Sequence, residues 1–400
     1  MKKRIVIILL AGVFVVAATV IAVAKGQKEY GVKIPANRNE QAENSINSFD
    51  SKLFTTLCNQ TENVNYSAVS IYNLLYALSK GSDKNTETEI NSALEYTPSQ
   101  EVDEYIKNMI LSTEKMSNSL WYNQDLNIQP EYNDFLVDLN FRQNKVDFSE
   151  AAKTQRQINS FVSKNTDGLI KKILSDPLPS DTRLLLLNTL FFEQKWMIKF
   201  DKDETKTDDF YIKSGDKIYV RMMQDIRSEL YYENEILQAV QLDYKDSRYS
   251  MIIFLPKDVD FDFENFDLKE NLDAFKEENE LQYLLINIPK FEAHSQYDLI
   301  PVLESLGIND AFHAGKADLS KIFTDSERLF LNEALHEVVV KVDEEKTKAA
   351  AVTLFGAKSA GVDSRDRDYI TFRADHPFCY VIYDEVNNIN LFTGIIRRPR

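Results

Sequence analysis

Four histidines, two cysteines and one serine among small residues are the side chains from which a catalytic centre would most readily be assembled in this 400-residue chain. None has the company that such chemistry requires. His294, His313, His336 and His376 are far apart and lack metal-ligand spacing, so each reads as a hydrogen-bonded or surface histidine. Cys58 and Cys379 sit in apolar surroundings, which favours buried free thiols over a disulfide. The stretch 356-GAKSAG-361 has one residue too many before Ser359 to be a GxSxG elbow, and its polar, irregular flanks do not supply the strained turn a serine hydrolase needs. GxGxxG, P-loop, HExxH and CxxC patterns are absent. No cofactor or metal is expected, and the chain is not read as an enzyme.

What remains is the chemistry of a substrate. The run 338-VVVKV-342 is as clear a buried strand as the sequence contains, and it leads into 344-EEKTKAAAVTLFGAKSAGVDSRDRD-368 before strand-like residues return at 378-FCYVIYD-384. A loop this long inside a compact domain is uncommon and is usually functional or disordered. Read as a strand, its first part sorts into two faces: Thr347, Ala349, Ala351 and Thr353 on one, Lys346, Lys348, Ala350 and Val352 on the other. The first face is uniformly small and can slide between existing strands over a packed layer, while the second tolerates water. Alanine also has the best helix propensity, so the segment is not committed to the strand state beforehand.

The elements that must position this loop are an α+β set, with helices early and strands late. Apolar residues at Ile46, Phe49, Leu53, Phe54 and Leu57 have helical spacing. A second helix lies in 67–82 and a third starts near Thr86 or Thr88; 130–140, 154–168 and 298–307 read as further helices. Strands are expected at 119–123, 184–196, 218–223, 229–233, 237–244, 249–256, 283–293, 338–342, 369–373, 378–384 and 389–397. No composition break, linker or repeat divides the chain, so residues 44–400 are expected to form a single domain.

The net charge of −16 argues against nucleic acid as a partner. The acidic stretch 86–105 likewise disfavours a polyanion cofactor. The basic start 1-MKKR-4 and the apolar run 5–24 form a signal peptide or an N-terminal membrane anchor, with Ala22-Val23-Ala24 as a cleavage site, followed by a polar spacer at 25–43. The remainder is then exported, and contact with a membrane requires that the segment be retained.

The stretch 332-NEALHEVVVKVDEEKTKAAAVT-353 resembles the strand and hinge that precede the reactive loop of serpins. Further stretches resembling that family are 65-NYSAVSIYNLLYALSKGS-82, 188-NTLFFEQKWMIKFDKDETKTDDF-210, 289-PKFEAHSQYDLIPVLESLGINDAF-312 and 372-FRADHPFCYVIYD-384. The resemblance implies helices around a large central mixed sheet, two further sheets and an exposed reactive loop. It implies a monomeric suicide-substrate inhibitor whose partner is a serine protease held in a covalent complex. It makes 344–353, from Glu344 and Glu345 to Thr353, the hinge, and Ser67, Ser70, Asn188 and His336 a polar cluster beneath the sheet where strands part, with Trp196 near the top where insertion starts. Lys346, Lys348, Val352, Ala68 and Cys379 depart from the family pattern. Family spacing counted from the hinge puts the scissile bond at Ala360-Gly361, which suits elastase-like proteases, whereas counting back from Pro377 gives about Asp366; Lys358 or Arg365 would suit trypsin-like enzymes. A non-inhibitory serpin-like binding protein is the competing reading.

Overall fold

The computed structural model describes residues 38–113, 115–212, 215–324, 329–345 and 368–400. Helix α1 (Glu40–Leu57) starts where Asn39 Oδ1 accepts the Ala42 N–H at 3.0 Å, a cap that satisfies one of the four orphan donors of a helix start. Its face of Ile46, Phe49, Leu53 and Leu57 is buried. Helices α2 (Ala68–Gly81), α3 (Lys84–Leu94), α4 (Gln100–Ser112), α5 (Pro130–Asp138), α6 (Ala151–Asn165), α7 (Leu268–Glu278) and α8 (Leu299–Ser305) follow. In α5 the proline occupies the first turn, where its missing N–H costs nothing.

Among the described residues, one sheet has five strands and carries the geometry that matters here. These are β2 (Met116–Asn123), β3 (Arg142–Val146), β4 (Leu184–Phe192), β10 (Phe291–Asp298) and β11 (Glu333–Val342). Their order is β10-β11-β4-β2-β3. The sheet is mixed: β11 with β4 and β2 with β3 run parallel, and the other two pairs run antiparallel.

The remaining strands are β1 (Val64–Tyr66), β5 (Lys206–Tyr211), β6 (Lys217–Glu233), β7 (Leu237–Asp243), β8 (Tyr249–Pro256), β9 (Glu280–Pro289), β12 (Ile370–Arg373), β13 (Phe378–Asp384) and β14 (Ile389–Ile396). They run on in the order β1-β14-β13-β8-β7-β6-β9-β12, with β5 also on β6. The two further sheets expected from the sequence are thus joined through one long strand. Residues 218–223 and 229–233 are not two strands but parts of β6, which pairs with β5 and β7 at its ends and with β9 between them. Conversely, 283–293 spans two strands, because the chain changes sheets at Lys290. Gly394 is where β14 comes closest to its neighbours: a Cβ there would lie 2.5 Å from the Tyr380 ring and 2.7 Å from the Val64 carbonyl.

Side-chain alternation along β4 and β11 divides the core. Leu184, Leu186 and Ala334 face the helices, Leu190, Val338 and Val340 face the second sheet, and Leu185, Leu187, Leu335 and Val339 point to the opposite side, where Ile158 and Val162 of α6 pack on them. Cys58 and Cys379 are buried free thiols.

Candidate functional site

The parallel contact of β4 with β11 is crossed by a chain of hydrogen bonds whose central pair is 148 residues apart in sequence. Register places His336 beside Asn188, and Asn188 beside Asn118 of β2. His336 Nε2 accepts the Ser67 N–H at 3.2 Å, which leaves the ring proton on Nδ1 to be donated to Asn188 Oδ1 at 2.8 Å. Asn188 Nδ2 in turn donates to Asn118 Oδ1 at 2.6 Å. One neutral imidazole therefore links the start of α2 to three strands. Its burial drives its pKa down to about 3, so it stays uncharged at any physiological pH.

Ser67 has two tasks. Its backbone N–H is held by the histidine, and its hydroxyl accepts the Ser70 N–H at 3.2 Å as the cap of α2. Ser70, also fully buried, leaves its own hydroxyl without a hydrogen bond, and Asn73 on the next turn leaves Oδ1 unpartnered. The Tyr297 ring stacks on His336 at 6.4 Å between centroids and closes the cluster from β10. Ser67, Ser70, Asn188 and His336 are thus brought together. Asn118 and Tyr297 belong with them and were not expected; Asn118 lies just before the strand expected at 119–123, and no local pattern marks it.

Trp196 lies elsewhere, at the far end of the seam. Its ring stacks on Tyr244 at 4.5 Å and Nε1 donates to the Asp343 carbonyl at 2.8 Å. One residue on, the Glu344 carbonyl accepts the Phe200 N–H at 3.0 Å. Glu344, only 5% exposed, meets Lys290 Nζ at 2.7 Å; burial is the largest single influence and opposes its charge, but the lysine bond and charge together with its other hydrogen bonds hold its pKa below the usual range. Glu345 meets Lys202 Nζ at 2.7 Å. The end of β11 is therefore fastened at four points just before the alanine-rich segment begins. The rest of the expected hinge, Lys346, Thr347, Lys348, Ala349, Ala350, Ala351, Val352 and Thr353, and the reactive-bond candidates Lys358, Ala360, Gly361 and Arg365, lie outside the described residues.

Other features of the described residues have structural partners. His376 bridges Asp375 Oδ1 and the Pro256 carbonyl, and His313 contacts the Asn309 carbonyl. Among the described residues no group of His, Cys, Asp and Glu could hold a metal ion, and no helix is long and apolar enough to cross a membrane; residues 1–24 lie outside them.

The arrangement is a mixed sheet with a polar seam in its middle and a strand that runs straight into a long connection. A family model described as Serpin (serine protease inhibitor) matches residues 44–399. An uncharacterized serpin-like protein of Thermococcus kodakarensis is 30% identical over 374 residues, covering 89% of this chain and 85% of its own. The structure resembles that of a thermophilic serpin, tengpin, in the native state, with a TM-score of 0.78 and 26% identity over 90% of this chain and 95% of that one. Human thyroxine-binding globulin complexed with thyroxine shares the fold, with a TM-score of 0.80 and 23% identity over 90% of this chain and 98% of that one. Matched along almost its whole length beyond the first 43 residues, and built around the same sheet, the chain belongs to the serpin family.

Proposed function

We propose that the chain is an exported suicide-substrate inhibitor of serine proteases with elastase-like preference. One observation carries this reading: β4 and β11 adjoin in parallel, and β11 leads directly into the segment that begins at residue 346. A strand laid antiparallel between them would replace one parallel ladder by two antiparallel ones, which are the more stable per residue. The sheet is thus one strand short of a deeper minimum, and its missing strand would come from its own chain.

In this mechanism the protease's catalytic serine oxygen bonds to the Ala360 carbonyl carbon. The bond to the Gly361 nitrogen breaks, and that amine leaves with the proton relayed through the protease's base. The ester would normally be hydrolysed by water. Insertion of the freed loop comes first, drags the attached protease across the sheet and distorts its active site. The residues of this chain supply stored conformational energy, with the His336 chain of hydrogen bonds exchanging partners as the strands part. The small face of Thr347, Ala349, Ala351 and Thr353 suits the packed side of the gap.

Incubation with an elastase followed by a denaturing gel tests the proposal. A stable complex at the summed mass less the released C-terminal fragment is expected, and that fragment should begin at Gly361 by mass spectrometry. A start after Lys358 or Arg365 would move the preference to trypsin-like enzymes. Plain cleavage without a complex would favour the second reading, a non-inhibitory binding protein, which Lys346 and Val352 in the hinge support. The fold neighbour complexed with thyroxine makes a small-molecule carrier the natural form of that alternative. Export rests on residues 1–24, and N-terminal sequencing of protein recovered outside the cell should begin at Lys25.

A further inference from the structure

On the α6 side of the five-stranded sheet, Thr189 of β4 and Glu337 of β11 are register partners across the parallel seam. Each is 1% exposed, and neither Thr189 Oγ1 nor Glu337 Oε2 makes a hydrogen bond. The other carboxylate oxygen of Glu337 lies 2.5 Å from Nε2 of His294 on β10, a side chain about half exposed to water. Around the pair, Leu187, Leu335 and Val339 on the strands and Ile158 and Val162 on α6 are apolar. An acid therefore sits among largely apolar side chains, with Thr189, His294 and Gln296, its register partner on β10, as polar neighbours. Parting of β4 from β11 would open both unbonded oxygens to water, so their desolvation penalty weighs on the closed sheet and is relieved in the open one.

We propose that Glu337 and Thr189 are positioning residues that set how readily β4 and β11 part, with His294 as a brace that holds Glu337 in the closed sheet. The proposal rests on the loop-insertion reading above and assigns that reading its trigger residues. Glu337 is fastened to β10 through one carboxylate oxygen and unsatisfied at the other, and its register partner on β4 is unsatisfied too, so the contact that yields is the one between β4 and β11, where the inserting segment must enter.

The brace responds to protons. Its bond to Glu337 raises the pKa of His294, against the opposing effect of burial. Other charges on this face are few: Glu292 two residues along β10, with Lys341 at 3.5 Å from it, and Asp298 and Glu333 at the far end. The side chains that α6 and the turn after it bury here, Ile158, Val162, Ile170 and Ile173, are uncharged. A histidine with a raised pKa contributes stability that is complete below the ordinary histidine range and is lost as pH rises through its folded value. The seam should therefore loosen on the alkaline side.

Replacing Glu337→Leu together with Thr189→Val removes both unbonded oxygens at similar volume. The melting midpoint of the intact protein should rise by about 3 to 6 °C, and the rate of complex formation with an elastase should fall roughly three-fold or more. An unchanged or lower midpoint overturns the proposal. Thr189→Val alone is nearly isosteric; it should raise the midpoint by about 1 to 2 °C, and a fall there also overturns it. For the brace, the midpoint gap between wild type and His294→Gln should close from about pH 6 to about pH 9; a constant gap removes His294 from the scheme. The melting measurements involve no protease, so they read the seam even in a chain that traps nothing. Intact trapping with an unmoved midpoint removes this pair and leaves the inhibitor reading standing.

Discussion

The β8–β13–β14 ribbon and the β4–β11 seam are both buried on their two faces, yet they treat polar side chains differently. In the ribbon, the buried Asp50 carboxylate accepts from Asn390 Nδ2 at 2.6 Å and Thr393 Oγ1 at 3.1 Å. Asn65 nearby donates to the Ala293 carbonyl at 2.9 Å and accepts the Tyr380 hydroxyl at 2.8 Å. At the seam and on the helix beneath it, Ser70, Asn73, Thr189 and Glu337 each keep an unpartnered buried oxygen, against Asn390 Oδ1 alone on the described strands of the ribbon. The ladders differ as well: every contact within the ribbon is antiparallel, whereas the seam is parallel. Strands can thus be equally buried and unequally committed to each other. The ribbon's ladders are all antiparallel, and the seam joins its parallel ladder to a chain of side-chain hydrogen bonds through His336 and Asn188.

The sharpest way to break this contrast is to cut the chain between 346 and 367. If the seam can accept a strand, the clipped protein should melt higher by on the order of 10 °C or more in a calorimetric scan. An unchanged midpoint would mean that both regions are already at their minimum.

Removal of the central imidazole comes next. His336→Ala strands the Ser67 N–H and the Asn188 Oδ1 and leaves a cavity, so native-state stability in urea should fall by about 4 kcal/mol. Because the folded pKa of His336 lies near 3, the unfolded chain takes up the proton first on acidification. The advantage of wild type over His336→Ala should therefore shrink as pH falls below the ordinary histidine value.

The ribbon has the opposite sign. Burial pushes the pKa of Asp50 up to about 6, against its hydrogen bonds, so the folded state holds a proton that the unfolded state has released. Wild type should lose about 3 kcal/mol relative to Asp50→Asn as pH rises from the ordinary carboxylate value to about 6, and little beyond. The smallest effect belongs to the fastening at the end of the seam. Glu344→Gln loosens the contact with half-shielded Lys290 and should lower stability by about 1 kcal/mol in denaturant titration, while leaving the ribbon's response to pH untouched.

Much of the fold was legible because burial leaves marks in local sequence. The apolar runs of β8, β11, β13 and β14 read directly as strands, that of β4 only with the help of flanking Pro179 and its aromatics, and the early amphipathic helices read by their period. The long β6 did not, because the mixed stretch 224–228 interrupts its apolar pattern while its backbone pairing with β9 continues. The change of sheet at Lys290 was hidden for a similar reason: both flanking segments are strands, and nothing local says to which partner each belongs. The four-residue cluster around His336 came from resemblance; its parallel register depends on contacts 148 residues apart that no short window contains. Glu337 was invisible as a site, since a lone acid in an apolar strand reads as a solvated position until α6 is seen to cover it.

The order of strands in the larger sheet has a consequence for what a nick would leave behind. The residues downstream of the loop supply β12 on an edge and β13 and β14 in the interior, with β13 flanked by β8 and β14 by β1. A backbone scission upstream of residue 368 therefore does not free a peptide. The two pieces should travel as one particle through a sizing column and come apart only in denaturant, so a sample that looks whole under gentle conditions can already be spent.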